Sequence, residues 1–150
     1  MYRVTFVSSL FSPDGLDRED SNKTLGVLLE ALTKVNEIQM QRRRFPPLYT
    51  SGIRYKAEPI GEENWLDAVQ ALLRRWIDCE DASAYRAAEL RVYFRIPARP
   101  VFIFGQDKAG RQLYHCRVRY PASYGPQHPS AKLIGDEYEE DPSVELGMVA

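Results

Sequence analysis

The spacing of apolar residues changes once along this 150-residue chain, and that change constrains the fold more than any single motif. Up to about residue 91 they recur every three or four positions. Leu25, Leu28, Leu29, Leu32, Val35 and Ile38 predict one helix, started by Ser21 or Asn22, and Trp65, Ala68, Val69, Leu72, Leu73 and Trp76 predict another. From there the period falls to two: RVYFRI, RPVFIFG and RQLYHCRVRY read as three strands, the last two joined by the turn QDKAG. Helices first and antiparallel strands second predict an α+β domain. Two outlying strands are expected as well, Tyr2 to Val7 and a short one in SGIRYKAEP ending at Pro59.

Between the two regimes Asp78 caps a third helix, expected over Cys79 to Arg91. Its Ala82, Ser83, Ala84, Ala87 and Ala88 let neighbouring elements approach closely, so this helix is expected at the centre. The length suits one domain over 1–150, with residues 1–40 forming an N-terminal strand and helix and 41–150 the core that carries the chemistry. Twenty basic and 21 acidic side chains leave a net charge of -1, which gives no electrostatic reason to expect nucleic acid or an anionic membrane as partner. The run Arg42, Arg43, Arg44 before FPP reads as a solvated helix end. No apolar run reaches the roughly 18 residues of a membrane span, and MYRVTFVSSLF lacks the pattern of a secretory leader, so a protein not exported by a signal peptide is expected. Cys79 and Cys116 are taken as thiols.

The chemistry-bearing residues are few. In the last long strand Tyr114, Cys116, Val118 and Tyr120 should face one way and Leu113, His115, Arg117 and Arg119 the other, putting Cys116 in the core and His115 on a polar face. Cys79 opens its helix among Asp78, Glu80 and Asp81. The helix dipole favours those acids and a thiolate alike, but their repulsion of a thiolate calls for a cation, for which protonated His115 is the natural source. A nucleophile, a base and an orienting carboxylate could then be Cys79, His115 and Asp141, with Asp136, Glu137, Glu139 and Glu140 competing for the third role from a segment that reads as a polar loop. The plain alternative is a small buried cysteine at a helix start and an ordinary strand histidine. The Cys79 N–H is the expected oxyanion donor, with a second from Tyr49, Tyr55 or Trp76. His128 reads as a loop residue. No cofactor is expected, and a zinc site from Cys79, His115, Cys116 and Asp141 is disfavoured, because adjacent strand residues face apart and no paired-ligand spacing exists.

Four segments resemble one family. DCEDASAYRAAELR is similar to the nucleophile segment of transglutaminase-like cysteine peptidases, LYHCRVRY to their histidine strand, EDPSVELGM to the aspartate segment of small phage-encoded members, and FPPLYTSGIRYKAEP to the approach to the helix pair. The resemblance covers roughly residues 40–148. It implies a papain-like α+β fold with the cysteine helix packed on an antiparallel sheet, and a Cys79, His115, Asp141 triad; only the match to EDPS singles out Asp141. It further implies acyl transfer on a protein or peptide amide, with hydrolysis favoured over cross-linking, in a phage-encoded protein of the host cytoplasm or the virion. Trp76 and Ile77 stand where members usually have glycines. That departure motivates a second expectation, a bacteriophage virion component at the head–tail junction or tail that uses the fold as a packing module among other virion proteins.

Overall fold

The computed structural model describes residues 2–59, 63–110 and 112–149. Its first helix, α1 (Arg18–Arg42), starts one turn earlier than the apolar pattern indicates, because Asp17 caps it by accepting the Asp20 N–H at 2.8 Å. The buried stripe is Ser21, Leu25, Leu29, Thr33, Asn36 and Met40, while Val35 and Ile38 are exposed. The expected face is therefore rotated. The reason is polar: Thr33 donates to the Leu29 carbonyl at 2.9 Å and Asn36 Oδ1 accepts the Ala68 N–H at 2.7 Å, so each has a partner for its side-chain oxygen inside the core.

The expected strand Tyr2–Val7 does not form. This stretch is exposed and has no ladder partner among the described residues, and alternation alone cannot hold a strand whose N–H and C=O groups have nothing to pair with.

After α1 the chain makes one 3-10 turn (Leu48–Thr50), then β1 (Arg54–Tyr55), α2 (Ala68–Arg74) and β2 (Trp76–Ile77). β1 and β2 pair in parallel, Arg54 beside Trp76 and Tyr55 beside Ile77. Leu73 and Trp76, assigned from sequence to an apolar stripe, are both more than half exposed. The helix ends before Trp76 because Arg75 turns left-handed at φ 68°, with its carbonyl accepting the Arg54 N–H and its Nη1 donating to the Ser51 carbonyl, each at 2.9 Å. That reversal aims Ile77 inward and leaves Asp78 at the start of the next helix.

α3 (Cys79–Tyr93) begins with a reciprocal capping box: Asp78 caps the helix, and its own N–H reaches Asp81 Oδ2 at 3.2 Å. Residues 79–90 are buried on every face, as the small side chains lead one to expect. The helix runs on through part of RVYFRI, so the first of the three expected strands is absent. Arg91 accounts for this: its Nε donates to the Ala98 carbonyl at 2.6 Å, and its guanidinium binds Glu30 and Glu37 of α1 at 2.9 and 3.0 Å. Those partners sit where only a helical Arg91 reaches them. Asp78→Ala removes the cap and its box together, and is expected to cost about 1–2 kcal/mol in denaturant melts, with an unchanged dependence on denaturant concentration.

The sheet is antiparallel, in the order β3 (Arg99–Gln106), β4 (Gln112–Pro121), β6 (Glu137–Glu140), β5 (Lys132–Ile134). Cys116, Val118 and Tyr120 are buried, and Val118 and Tyr120 pack with Ala87 and Leu90 of α3. The chain is thus a mixed α+β fold, with a central helix on an antiparallel sheet. The acidic segment is strand β6 and not a loop. Glu139 is drawn in by Arg117 and Arg119 of the neighbouring strand, each at 2.8 Å, and Glu140 by Arg86 of α3 at 2.9 Å. A short helix, α4 (Pro142–Glu145), follows Asp141. No helix among the described residues is long and apolar enough to cross a membrane.

Candidate active site

Three elements converge at the start of α3. The cap at Asp78 fixes Cys79 in the first turn, β4 carries His115, and Asp141 ends the run of β6, held in extended backbone at φ -112° ahead of Pro142. His115 Nε2 and Asp141 Oδ2 are 2.8 Å apart. The Cys79 side chain lies close enough to the same imidazole to help raise its pKa. With Nε2 taken by Asp141, Nδ1 is the ring nitrogen left for the thiol. The three residues named from sequence therefore meet in the order thiol, imidazole, carboxylate. Asp136, Glu137, Glu139 and Glu140 do not join them: Glu139 and Glu140 serve arginines, and Glu137 pairs with Arg99 at 2.7 Å.

The charges are distributed differently from the expectation. The hydrogen bond that His115 donates to Asp141, and then its interaction with Cys79, push His115 up to about 9 against the opposing effect of burial. Burial alone would raise Asp141, but the hydrogen bond and charge of His115 outweigh it and hold that carboxyl below its usual range. Cys79 is 5% exposed, and its thiol is pushed well up by its hydrogen bond to Cys116 and by burial, with His115 pulling only partly the other way. The resting site is an imidazolium–carboxylate pair beside a neutral thiol, rather than the expected thiolate–imidazolium pair.

Several neighbours were not legible in the sequence. Cys116 lies on the buried face as expected, yet it also touches Cys79, so alternation along β4 does not keep Cys116 and His115 from reaching the same sulfur. Glu80, read as an acid favoured at the helix start, is 1% exposed and accepts from the Cys79 thiol at 3.1 Å; burial, then the charges of Cys79, Asp78 and Asp81, push its carboxyl far up. Arg117 Nε stands 3.3 Å from Asp141 Oδ2. Its place two residues after His115, on the same strand face, is the one signal that could have found it.

The oxyanion donors also differ. The Cys79 N–H is taken by Asp78 Oδ1 at 2.6 Å, so the expected first donor is committed to the helix cap. Tyr49 gives its hydroxyl to Glu140 at 2.7 Å, and Trp76 is 53% exposed. Tyr55 is the one of the three that packs against the cluster holding Cys79; burial and then the charge of Asp78 raise its phenol. His128 sits in the loop before β5, within 2.7 Å of the Ser130 hydroxyl.

Once the imidazolium gives up its Nδ1 proton, the neutral ring, with its remaining proton held on Nε2 by Asp141, leaves Nδ1 to take the thiol proton, which is the arrangement a cysteine nucleophile needs. No family model, curated protein or solved structure matches the chain.

Proposed function

We propose that the protein is a transglutaminase-like cysteine peptidase or amidase of papain-like fold, working by acyl transfer through Cys79, His115 and Asp141. The observation that carries this reading is the 2.8 Å contact between His115 Nε2 and Asp141 Oδ2, with the Cys79 side chain close enough to the ring to help raise its pKa. In the reaction His115 first gives its Nδ1 proton to solvent, and Cys79 Sγ then attacks an amide carbonyl of a protein or peptide as the thiol proton passes to the neutral ring. His115 then protonates the leaving amine, and water attacks the thioester to restore the thiol. Asp141 keeps the imidazole in the tautomer that can do both.

A second reading is supported by the burial of Cys79 and its raised thiol: a bacteriophage virion component that keeps the fold as a packing module. Alkylation separates the two. With a peptide amide present to open the site, Cys79 is expected to take iodoacetamide faster than Cys116. Cys79→Ala should abolish this labelling and any amidase activity while changing stability by less than about 1 kcal/mol, whereas Cys116→Ser should lower stability by placing a hydroxyl at a fully buried position. Equal and slow labelling of both thiols, with a large stability loss at Cys79→Ala, would favour the packing module.

A further inference from the structure

The sulfurs of Cys79 and Cys116 and a carboxylate oxygen of Glu80 all lie within 4.8 Å of one another. All three residues are buried. A thiol pair bridged by a carboxylate is a combination of soft and hard donors that zinc accepts, with Zn–S near 2.3 Å and Zn–O near 2.1 Å. Two sulfurs on one zinc stand roughly 3.8 Å apart in tetrahedral geometry, by those bond lengths, so little movement is needed to close the three donors on one ion.

A second and independent observation points to a ligand. Glu80 Oε2 accepts the Cys79 thiol, but Glu80 Oε1 is buried with no hydrogen-bond partner among the described residues. A side chain 1% exposed that leaves an oxygen unmet is costly unless something else satisfies it. The surroundings are acidic: oxygens of Glu58 and Asp78 lie within 4.8 Å of a Glu80 oxygen, forming an adjoining set of hard donors. His115 is already engaged by Asp141, so its charge is directed to that carboxylate and not to the Glu80 oxygen. A bound cation would meet the open Glu80 oxygen.

We infer that Cys79, Cys116 and Glu80 form a binding site for zinc or a similar thiophilic divalent cation, and that occupancy turns the nucleophile into a metal ligand. The ion takes one electron pair from each sulfur and one from the carboxylate, releasing the two thiol protons and the Glu80 carboxyl proton to solvent, with a fourth position open to water. Binding does not depend on the catalytic reading of Cys79. Inhibition of the amidase by zinc rests on it.

The test uses the full chain, reduced with a phosphine so that no added thiol competes for metal. Titration with Co²⁺ alone should produce the near-ultraviolet thiolate-to-cobalt charge-transfer absorption at one equivalent, and Zn²⁺ should displace it. Cys116→Ser should weaken cobalt binding at least about tenfold and reduce the absorption per ion; Glu80→Gln should weaken binding similarly while keeping both sulfurs and the absorption they give. The second variant guards against a folding defect in the first, since it changes no core sulfur. If cobalt gives no such absorption with the folded wild-type chain, or binds both variants as tightly as the wild type, the site is refuted. Absorption without any amidase activity would overturn the nucleophile reading and leave the metal site standing; amidase activity indifferent to zinc, with no cobalt absorption, would do the reverse.

Discussion

Arg86→Met is expected to remove about 3–5 kcal/mol of stability, the largest structural effect of any single change considered for this chain. Arg86 is 5% exposed and holds two buried carboxylates: Nη1 to Glu89 at 2.6 Å, Nε to Glu140 at 2.9 Å. Tyr120 and Tyr49 give Glu140 two further hydrogen bonds at 2.6 and 2.7 Å, and the Leu48 N–H serves Glu89 at 3.0 Å. Removing the cation leaves two charges in the core that those neutral donors cannot balance. Burial by itself would raise Glu140, and the Arg86 contacts reverse this to hold it below the ordinary value; for Glu89, burial prevails and the pKa is raised despite Arg86. Without Arg86 both should bind protons more readily folded than unfolded. The sign follows from linkage: where the folded state holds the extra protons, stability grows as pH falls, from the raised folded values down toward the unfolded carboxylate range near 4.3. Denaturant melts of the variant should therefore improve on acidification through that window, relative to wild type. A loss of similar size that does not respond to pH would mean that packing, and not stranded charge, is responsible.

Asp141→Asn should lower amidase activity by a factor approaching about 10⁴, the size seen when an orienting aspartate is converted to amide in a serine protease. The thiol here is pushed up by Cys116 and burial, so it depends on the imidazole more than an acidic thiol would. Asp136→Asn should leave activity nearly unchanged. Glu139→Gln should cost stability through Arg117 and Arg119 and spare the chemistry. A separate readout is the titration of His115 by NMR, expected near 9 in the native chain and falling toward the ordinary value of about 6.5 in Asp141→Asn. In stability the raised His115 contributes fully below that ordinary value, and its share is lost as pH rises through about 9. The depressed Asp141 contributes above the usual carboxylate range and is lost as pH falls through its own lowered pKa. Wild type and variant should thus differ most between those limits and converge above about 9. An unmoved His115 titration would take Asp141 out of the role.

The fold was legible where apolar spacing and cap chemistry agreed. Asp78 as a cap, the small-residue centre of α3 and the inward face of β4 all follow from local rules that the tertiary structure does not oppose. Three of the failures share one cause. Asn36 on the buried face of α1, the continuation of α3 past Arg91 to Tyr93 and the strand at Glu137–Glu140 each have a polar partner distant in sequence, and hydrophobic periodicity carries no information about such partners. The same holds at the site. Alternation placed Cys116 and His115 on opposite faces, but it could not show that the start of α3 brings one sulfur within reach of both. Nor could it show that Glu80 turns inward.

Seven residues make α2, about half the length at which an isolated helix becomes even marginal in water. It survives on borrowed terms. Asn36 and Gln39 of α1 accept its first N–H groups, from Ala68 at 2.7 Å and Val69 at 3.3 Å, and Gln39 also donates to Asp67, its cap, at 2.9 Å. Just before α2, the Leu66 N–H is held by Asp81 at 2.6 Å, so the same segment is stitched to the turn that presents Cys79. The division suggested by sequence, with residues 1–40 apart from a core that carries the chemistry, is therefore not a line along which the chain could be cut. A fragment beginning at 41 would shed the acceptors that keep α2 helical. Dissection would dismantle the scaffold behind the nucleophile while leaving every residue of the triad in the polypeptide.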